Sequence, residues 1–290
     1  MSLAGSRRIS NHTTPELKPG PTGKHWTQLM GNEFGYIWSE GRNQRGNPHA
    51  EPNEFTASKI SIYSITEAVE NNIQAGWIVF HANNRAALFL SNNQVHPVLF
   101  GDYKTRLFAY WTASNSTVTK SGCFNTVCAG FVQASSKIFP GAPIIPLSIY
   151  NGPQYSIQVM VFKDQETGNW WLMFGDESVG YWPSSLFGNT FNHSSLIEWG
   201  GEVINTGSSG QHTITQMGSG HFSSEGFGKS GHFRNILIVD FKNNYRVPDG
   251  VKTYTEKPQC YDLIYNGQKI GKDIGYAFYF GGPGNGPNCP

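Results

Sequence analysis

The chain has 290 residues and a formal net charge of +1 at pH 7, with 14% charged and 14% aromatic residues. This near-neutral charge gives no long-range field that would attract nucleic acid or an anionic membrane surface. No apolar stretch approaches the roughly 20 residues that a membrane-spanning helix needs. We therefore expect no nucleic-acid partner and no membrane partner, and a chain of this length can bury a substantial core in one domain.

The N-terminal residues 1–23 differ in composition from the rest of the chain. They are polar, contain Pro15, Pro19 and Pro21, and lack the apolar run of a secretory signal peptide. Three interpretations remain open for them: a disordered leader, a linker, or a gene start that has lost upstream sequence. No comparable linker follows, so we expect residues 24–290 to form one domain.

Strand signals dominate the remaining sequence. Residues 64–73 could form a helix with Thr66 as its N-cap, although a loop flanked by strands fits equally well. Residues 155–174 alternate with a period of two on both sides of a polar turn, which predicts a hairpin. Further strands are predicted at 234–241 and 276–280. Together with 34 glycines that suit tight turns, these patterns predict an all-β, antiparallel β-sandwich.

The four cysteines, Cys123, Cys128, Cys260 and Cys289, fall into two groups that are each local in the sequence. Two local disulfides suit this grouping better than one zinc site. The Cys-x4-Cys spacing is too long for a metal knuckle, and no pair of histidines lies beside either group. Four buried free thiols are the alternative in a reducing compartment. The nine histidines form no His-Glu-x-x-His cluster, so we expect no metal and no other cofactor.

Several short segments form an ordered pattern along the chain. They are Thr105-Arg106-Leu107-Phe108, Gly122-Cys123-Phe124-Asn125, Gly130-Phe131-Val132-Gln133, Asn169-Trp170-Trp171, Gly180-Tyr181-Trp182-Pro183-Ser184, Glu198-Trp199-Gly200-Gly201-Glu202, Gln216-Met217-Gly218-Ser219-Gly220-His221-Phe222, Cys260-Tyr261-Asp262 and Gly281-Gly282-Pro283-Gly284. Taken together and in this order, over roughly residues 24–289, they resemble the neprosin family of plant glutamic endopeptidases.

The resemblance implies a β-sandwich of two curved antiparallel sheets with a pair of catalytic glutamates in a concave cleft. It implies a peptide or protein substrate, cleavage near proline at acidic pH, and a secreted or vacuolar protein, which we expect to be a monomer. It also implies the disulfides Cys123–Cys128 and Cys260–Cys289, and an activation peptide of which residues 1–23 would be the remnant. The secretory route is also favoured by three N-glycosylation sequons, at Asn11, Asn115 and Asn192.

The catalytic pair that the resemblance implies matches at one position and departs at the other. The second glutamate of the family corresponds to Glu202 in Trp199-Gly200-Gly201-Glu202. The first belongs to a motif Ile-Glu-Ala-Gly-Trp, which in this chain is Ile73-Gln74-Ala75-Gly76-Trp77, so Gln74 replaces the acid. Residues 80–94, which precede the family string at 97–102, look inserted, either as a real loop or as a splicing artefact.

Peptide hydrolysis without a metal needs a base that activates water and a donor to the oxyanion. Glu202 as the base and the NH2 group of Gln74 as the donor would meet both needs, because an amide donates at every pH. The reverse assignment fails, since Gln74 cannot act as a base. Activity therefore depends on which role position 74 has in the family. In an active form, Gln74 and Glu202 should converge within the reach of one water molecule.

Four aromatic residues complete the candidate site, and core packing is the alternative role for them. We expect their rings to bind substrate in the cleft; they are Trp77, Tyr181, Trp182 and Trp199. The main alternative to a peptidase is a peptide-binding module that keeps the cleft but has lost hydrolysis, as Gln74 and the segment 80–94 favour. A third alternative is a pseudogene product that does not fold.

Overall fold

The computed structural model describes most of the chain, in ranges separated by gaps. The described residues are 24–31, 39–44, 46–66, 69–80, 88–89, 95–96, 102–115, 119–188, 190–207, 211–239, 244–269 and 275–290. The leader expected at 1–23 and most of the inserted segment expected at 80–94 lie outside the described residues.

The regular structure is almost entirely β-strand. The strands are β1 (Lys24–Gly31), β2 (Ser39–Gln44), β3 (Phe55–Ile65), β4 (Glu70–Phe80), β5 (Leu88–Phe89), β6 (Val95–His96), β7 (Arg106–Asn115), β8 (Thr119–Phe124), β9 (Val132–Gln133), β10 (Ser156–Lys163), β11 (Trp170–Phe174), β12 (Glu177–Trp182), β13 (Leu196–Ile204), β14 (Gly231–Val239), β15 (Tyr245–Arg246), β16 (Lys252–Thr255), β17 (Asp262–Lys269) and β18 (Tyr276–Gly281). Two short 3-10 helices span Ser184–Phe187 and Ser223–Glu225. In the part of the chain that is described, no helix is long and apolar enough to span a membrane.

The strands form two large antiparallel sheets. The seven-stranded sheet has the order β16-β1-β13-β3-β4-β7-β8. The nine-stranded sheet has the order β17-β18-β14-β2-β10-β11-β12-β9, with β15 paired to β14. One apolar core contains side chains of both sheets. The predicted all-β class and antiparallel sandwich are therefore confirmed.

Most of the predicted local elements are present. The hairpin predicted at 155–174 is formed by β10 and β11. Its polar turn is stabilised by Asp164, whose carboxylate accepts the backbone N–H of Thr167 at 2.7 Å. The strands predicted at 234–241 and 276–280 correspond to β14 and β18.

The helix considered for residues 64–73 is not formed, and the loop alternative is correct. Ile65 ends β3 and Glu70 begins β4, and the two strands pair with each other. Thr66 stabilises the turn between them, because its hydroxyl accepts the backbone N–H of Val69 at 3.0 Å. The alternating apolar residues on either side outweigh the weak helical signal, since burial in a sheet contributes more than local propensity.

The seven-stranded sheet has two chemically different faces, because side chains along a strand alternate between them. Ile60 of β3, Ile73 of β4 and Ile197 of β13 lie on the face that contributes to the core between the sheets. We call the opposite face the outer face. It carries Lys59 and, further along β3, Tyr63, together with a smaller apolar cluster that includes side chains of β3, β4, β7 and β8.

Three of the four aromatic residues expected to line the cleft are core residues instead. Trp77, Trp182 and Trp199 are at most 1% exposed and belong to the core between the sheets. Alternation explains the error for two of them. Trp77 is three residues from Gln74, and Trp199 is three residues from Glu202. An odd separation along a strand places two side chains on opposite faces.

Both expected disulfides are present. They join Cys123 to Cys128, and Cys260 to Cys289. All four cysteines are thus used, which excludes the alternative of four free thiols. Disulfides are compatible with an extracellular protein.

Trp77→Ala is expected to lower the free energy of unfolding by about 3–5 kcal/mol, because it removes a fully buried indole and leaves a cavity. A suitable control is Ile214→Ala, at a residue that is 50% exposed. It should change the free energy of unfolding by no more than about 0.5 kcal/mol. Chemical denaturation measures both values. A loss below about 1 kcal/mol for Trp77→Ala would contradict its position in the core.

Candidate active site

A row of polar side chains lies on the outer face of the seven-stranded sheet. Lys59 of β3 is paired with Gly200 of β13 on one side and with Gly76 of β4 on the other. Glu202 and Gln74 are each two residues away from these glycines along the same strands, so they share the face of Lys59. The three polar side chains therefore point into the same region.

The glycine in the Ala-Gly-Trp part of the motif has a structural role beside Lys59. A Cβ atom at Gly76 would lie 2.1 Å from the backbone oxygen of Ser58 and 2.8 Å from the Cα of Lys59. A larger residue would push β3 and β4 apart, because both contacts are with backbone atoms. Glycine thus allows the close approach of the two strands that carry Lys59 and Gln74.

The ammonium group of Lys59 joins Gln74 to Glu202. Its Nζ donates to Gln74 Oε1 at 2.8 Å and forms a short hydrogen bond and ion pair with Glu202 Oε2. Lys59 and Glu202 are each 4% exposed, so water screens the pair only weakly. Gln74 and Glu202 therefore converge on one point, and the group at that point is an ammonium.

The orientation of the Gln74 amide differs from the one expected. Its Nε2 donates to Asn72 Oδ1 at 2.7 Å, and Asn72 Nδ2 donates to the backbone oxygen of Ile62 at 3.2 Å. These partners fix both amides, because an ammonium requires an acceptor and the Asn72 oxygen requires a donor. Gln74 thus presents its oxygen to the shared point. In this arrangement the donor at that point is Lys59, not the NH2 group of Gln74.

A second buried carboxyl group lies on the outer face of β13. Glu198 is 4% exposed and precedes Glu202 by four residues on the same face. Burial raises the pKa of Glu198 to about 7, although the Lys59 ammonium and a hydrogen bond from the Tyr63 hydroxyl act in the opposite direction. The carboxylates of Glu202 and Glu70 add to the rise. Glu198 therefore changes its charge near neutral pH.

A small pocket opens beside Lys59, Gln74 and Glu202. Its volume of about 30 Å³ is enough for at least one water molecule. Its remaining walls are mostly apolar and consist of Phe55, Ala57, Ile78, Phe108, Tyr110 and Phe124. The pocket thus combines a charged region with apolar walls and has room for a water molecule.

The structure brings together Gln74 and Glu202, but none of the aromatic residues expected beside them. Trp77, Trp182 and Trp199 are in the core. Tyr181 is half-buried in the nine-stranded sheet, where its ring packs on Trp171 with centroids 4.8 Å apart. The expectation that these four residues line the cleft is therefore corrected. The aromatic side chains that do line the pocket come from β3, β7 and β8: Phe55, Phe108, Tyr110 and Phe124.

Lys59 and Glu198 are not among the site residues predicted from the sequence, although a signal exists for each. Lys59 is a lysine inside an 11-residue strand whose other residues are apolar or carry hydroxyl groups. A buried lysine requires a partner, so its position predicts a nearby acid. Glu198 and Glu202 are an even number of residues apart in β13, so their side chains lie on the same face of the sheet. Neither signal identifies the partner until the pairing of β3 with β13 is known.

One group of metal-ligating residues lies close together in the described part of the chain. His212, Cys260 and Cys289 have ligand atoms within 4.8 Å of one another. The two cysteines are joined in a disulfide, and a metal binds the thiolate form of cysteine. This group is therefore explained by the disulfide, with the His212 ring packed against Tyr261 at a centroid distance of 5.3 Å.

The family model described as Neprosin matches residues 52–283, a range that contains Lys59, Gln74, Glu198 and Glu202. The chain belongs to the neprosin family. Membership of the neprosin family supports a peptidase-like function and a peptide as the class of substrate.

The solved structures to which this chain is similar include glutamic peptidases. One is scytalido-glutamic peptidase with a peptide-based transition-state analogue, which is 10% identical to this chain with a TM-score of 0.40. The match covers 89% of this chain and 97% of the scytalido-glutamic peptidase chain. SCP-B, a member of the Eqolisin family of peptidases in a complex with the tripeptide Ala-Ile-His, is 10% identical, with 89% and 96% covered and a TM-score of 0.38.

Lys59→Met is expected to lower the free energy of unfolding by about 3–5 kcal/mol at neutral pH, because it leaves Glu202 buried without its ion-pair partner. Adding Glu202→Gln should recover most of this loss, since the amide carries no charge. Chemical denaturation of the parent, both single variants and the double variant gives the coupling energy. A coupling energy near zero would contradict a buried ion pair.

The free energy of unfolding should fall as the pH rises from about 4.5 to about 7, because folded Glu198 keeps a proton that the unfolded chain releases. The change is at most about 3 kcal/mol for this group. Glu198→Gln removes this pH dependence. The free energy of unfolding of the variant, minus that of the parent, should therefore be larger at pH 8 than at pH 4. Denaturant titrations at both pH values measure this difference. A difference between the two proteins that does not depend on pH would show that Glu198 titrates at its ordinary pKa.

Proposed function

We propose that this protein is a glutamic endopeptidase that hydrolyses peptide bonds with a water molecule activated by Glu202. The observation that supports this most is the convergence of Glu202 and Gln74 on the Lys59 ammonium, in a pocket with apolar walls. A base, a cationic hydrogen-bond donor and an apolar surface are then available together. Hydrolysis of an amide without a metal needs a base and an oxyanion donor.

In the proposed reaction, Glu202 accepts a proton from a water molecule whose oxygen attacks the carbonyl carbon of the scissile bond. The carbonyl oxygen becomes negatively charged and is stabilised by an N–H group of Lys59. Glu202 then transfers the proton to the peptide nitrogen as the C–N bond breaks. The products are a new carboxyl group and a new amine, and Glu202 returns to its carboxylate form.

Lys59 takes the donor role in this proposal, and Gln74 holds Lys59 in place. An ammonium group has three N–H donors. Two of them contact Gln74 and Glu202, and we assign the third to the oxyanion. Asn72 fixes the amide of Gln74 so that its oxygen faces the ammonium. In this arrangement, an amide at position 74 is compatible with activity.

The pocket walls and the two disulfides bear on the substrate and on where the protein acts. The apolar walls of the pocket suit the ring of proline, which is apolar and has no N–H group that needs a partner. We therefore propose cleavage next to proline in a peptide or protein, at acidic pH. The two disulfides suit an oxidising compartment, and we propose a secreted or vacuolar protein that acts as a monomer.

The second candidate function is peptide binding without hydrolysis. The same ammonium group favours it, because Lys59 neutralises the charge of Glu202 at the point where the attacking water must be activated. In this case the pocket still binds part of a peptide, and Gln74 only supports Lys59. The two candidates differ in one outcome, which is whether a bound proline-containing peptide is cleaved.

Glu202→Gln is expected to reduce kcat/KM about 10²–10⁴-fold for a quenched proline-containing peptide, because an amide cannot accept the proton of the water. The measurement covers pH 3 to 7, and circular dichroism checks that each variant is folded. The charge-matched control is Glu166→Gln, at an exposed position in the turn between β10 and β11. This control should cleave the peptide at the rate of the parent.

Three other outcomes would change the proposal. Cleavage by Glu202→Gln at the parent rate would exclude Glu202 as the base. A parent that binds the peptide but does not cleave it, before or after Gln74→Glu, would favour the binding module. A silent parent that gains activity with Gln74→Glu would show that position 74 must be an acid, which contradicts the proposed role of the Gln74 amide.

A further inference from the structure

Two carboxyl groups of β13 compete for one buried ammonium group. Glu198 and Glu202 share the outer face, and Lys59 of the neighbouring strand is paired with Gly200, which lies between them. The ammonium forms its ion pair with Glu202. It also interacts electrostatically with Glu198. Because all three charged side chains are shielded from water, these attractions are stronger than they would be at the surface.

We infer that Glu198 is a positioning residue for the proposed reaction: when it loses its proton, it draws the Lys59 ammonium away from Gln74 and Glu202, and so sets the upper pH limit of activity. This inference rests on the proposed function. Glu198 needs no contact with the substrate for this role, because it acts through Lys59.

Ionising Glu198 weakens the stabilisation of the oxyanion in two ways. Neutral Glu198 leaves Lys59 at the point shared by Gln74 and Glu202, where it can donate to the oxyanion. Ionised Glu198 attracts the ammonium and adds a second negative charge near the place where the oxyanion develops. We expect this loss of oxyanion stabilisation to outweigh the gain in basicity of Glu202 when its ion pair with Lys59 weakens.

The groups around Glu198 allow it to titrate in an accessible range. Burial raises the pKa of Glu198 to about 7. Burial also raises the pKa of Tyr63 well above its usual range, so the phenol stays neutral and donates to Glu198. The residue paired with Glu198 in β1 is Met30, which does not titrate. The charged groups that act on Glu198 from β3, β4 and β13 are Lys59, Glu70 and Glu202.

The first test is the pH dependence of kcat/KM between pH 4 and 9 for the parent, Glu198→Gln and the control Glu166→Gln. The parent should lose activity above about pH 7, by about tenfold per pH unit, as expected for one ionisation. In Glu198→Gln, the ratio of activity at pH 8.5 to activity at pH 5 should rise at least about tenfold over the parent ratio. Glu166→Gln should keep the profile of the parent.

The second test does not depend on catalysis. In protein with ¹³C-labelled lysines, the Cε signal of Lys59 is assigned by its loss in the double variant Lys59→Met/Glu202→Gln. This signal should shift with a midpoint near pH 7 in the parent, because the ammonium changes its surroundings when Glu198 ionises. The shift should be absent in Glu198→Gln and present in Glu166→Gln.

The two tests separate failure of this inference from failure of the proposed function. If the peptide is cleaved and Glu198→Gln has the pH profile of the parent, the inference is wrong and the peptidase proposal stands. If no variant cleaves the peptide but the Lys59 signal has a midpoint that depends on Glu198, the peptidase proposal is wrong and Glu198 still controls the ammonium. A Lys59 signal without that midpoint overturns the inference, whatever the activity.

Discussion

The side chains of β3, β4 and β13 alternate between the two faces of one sheet, and both the core and the candidate site depend on this alternation. One face contributes Trp77 and Trp199 to the core. The other face holds Lys59 and Glu202, joined by an ion pair. A shift of one residue in the pairing of these strands would move the charges into the core and the indoles out of it. The register that buries the tryptophans is therefore also the register that joins Lys59 to Glu202.

Two buried glutamates of this protein are stabilised in different ways. Glu54 accepts hydrogen bonds from the backbone N–H of Thr206 at 2.6 Å and from the hydroxyl groups of Thr213 and Thr215. These donors are neutral and sit on short side chains or on the backbone, so they attach one loop firmly to the start of β3. Glu202 is instead balanced by the long, flexible side chain of Lys59. The second arrangement would suit the proposed reaction, in which the charge distribution of the site changes.

At position 74, where the resemblance to the family motif implies an acid, this chain has the neutral amide of Gln74. Gly76 still allows β3 and β4 to approach, and Trp77 still fills the core. Gln74 still forms hydrogen bonds, but its oxygen faces an ammonium group. Gln74 carries no charge, and Lys59 brings a positive charge to the same place. The electrostatics of the pocket therefore depend on a residue outside the motif.

The fold class, the family and the cysteine grouping could be predicted from the amino-acid sequence, because they follow from patterns within short segments. The alternation in residues 155–174 predicted a hairpin that the structure contains, and the ordered motifs indicated the family that the chain belongs to. Which side chains meet could not be predicted in this way, because it depends on how the strands pair. Lys59 and Glu202 are 143 residues apart, and their contact depends on a strand pairing that leaves no periodic signal in either segment. The prediction that Trp77 and Trp199 line the cleft was wrong for a similar reason. A strand pattern shows that two faces differ, but the packed second sheet is needed to show which face is covered.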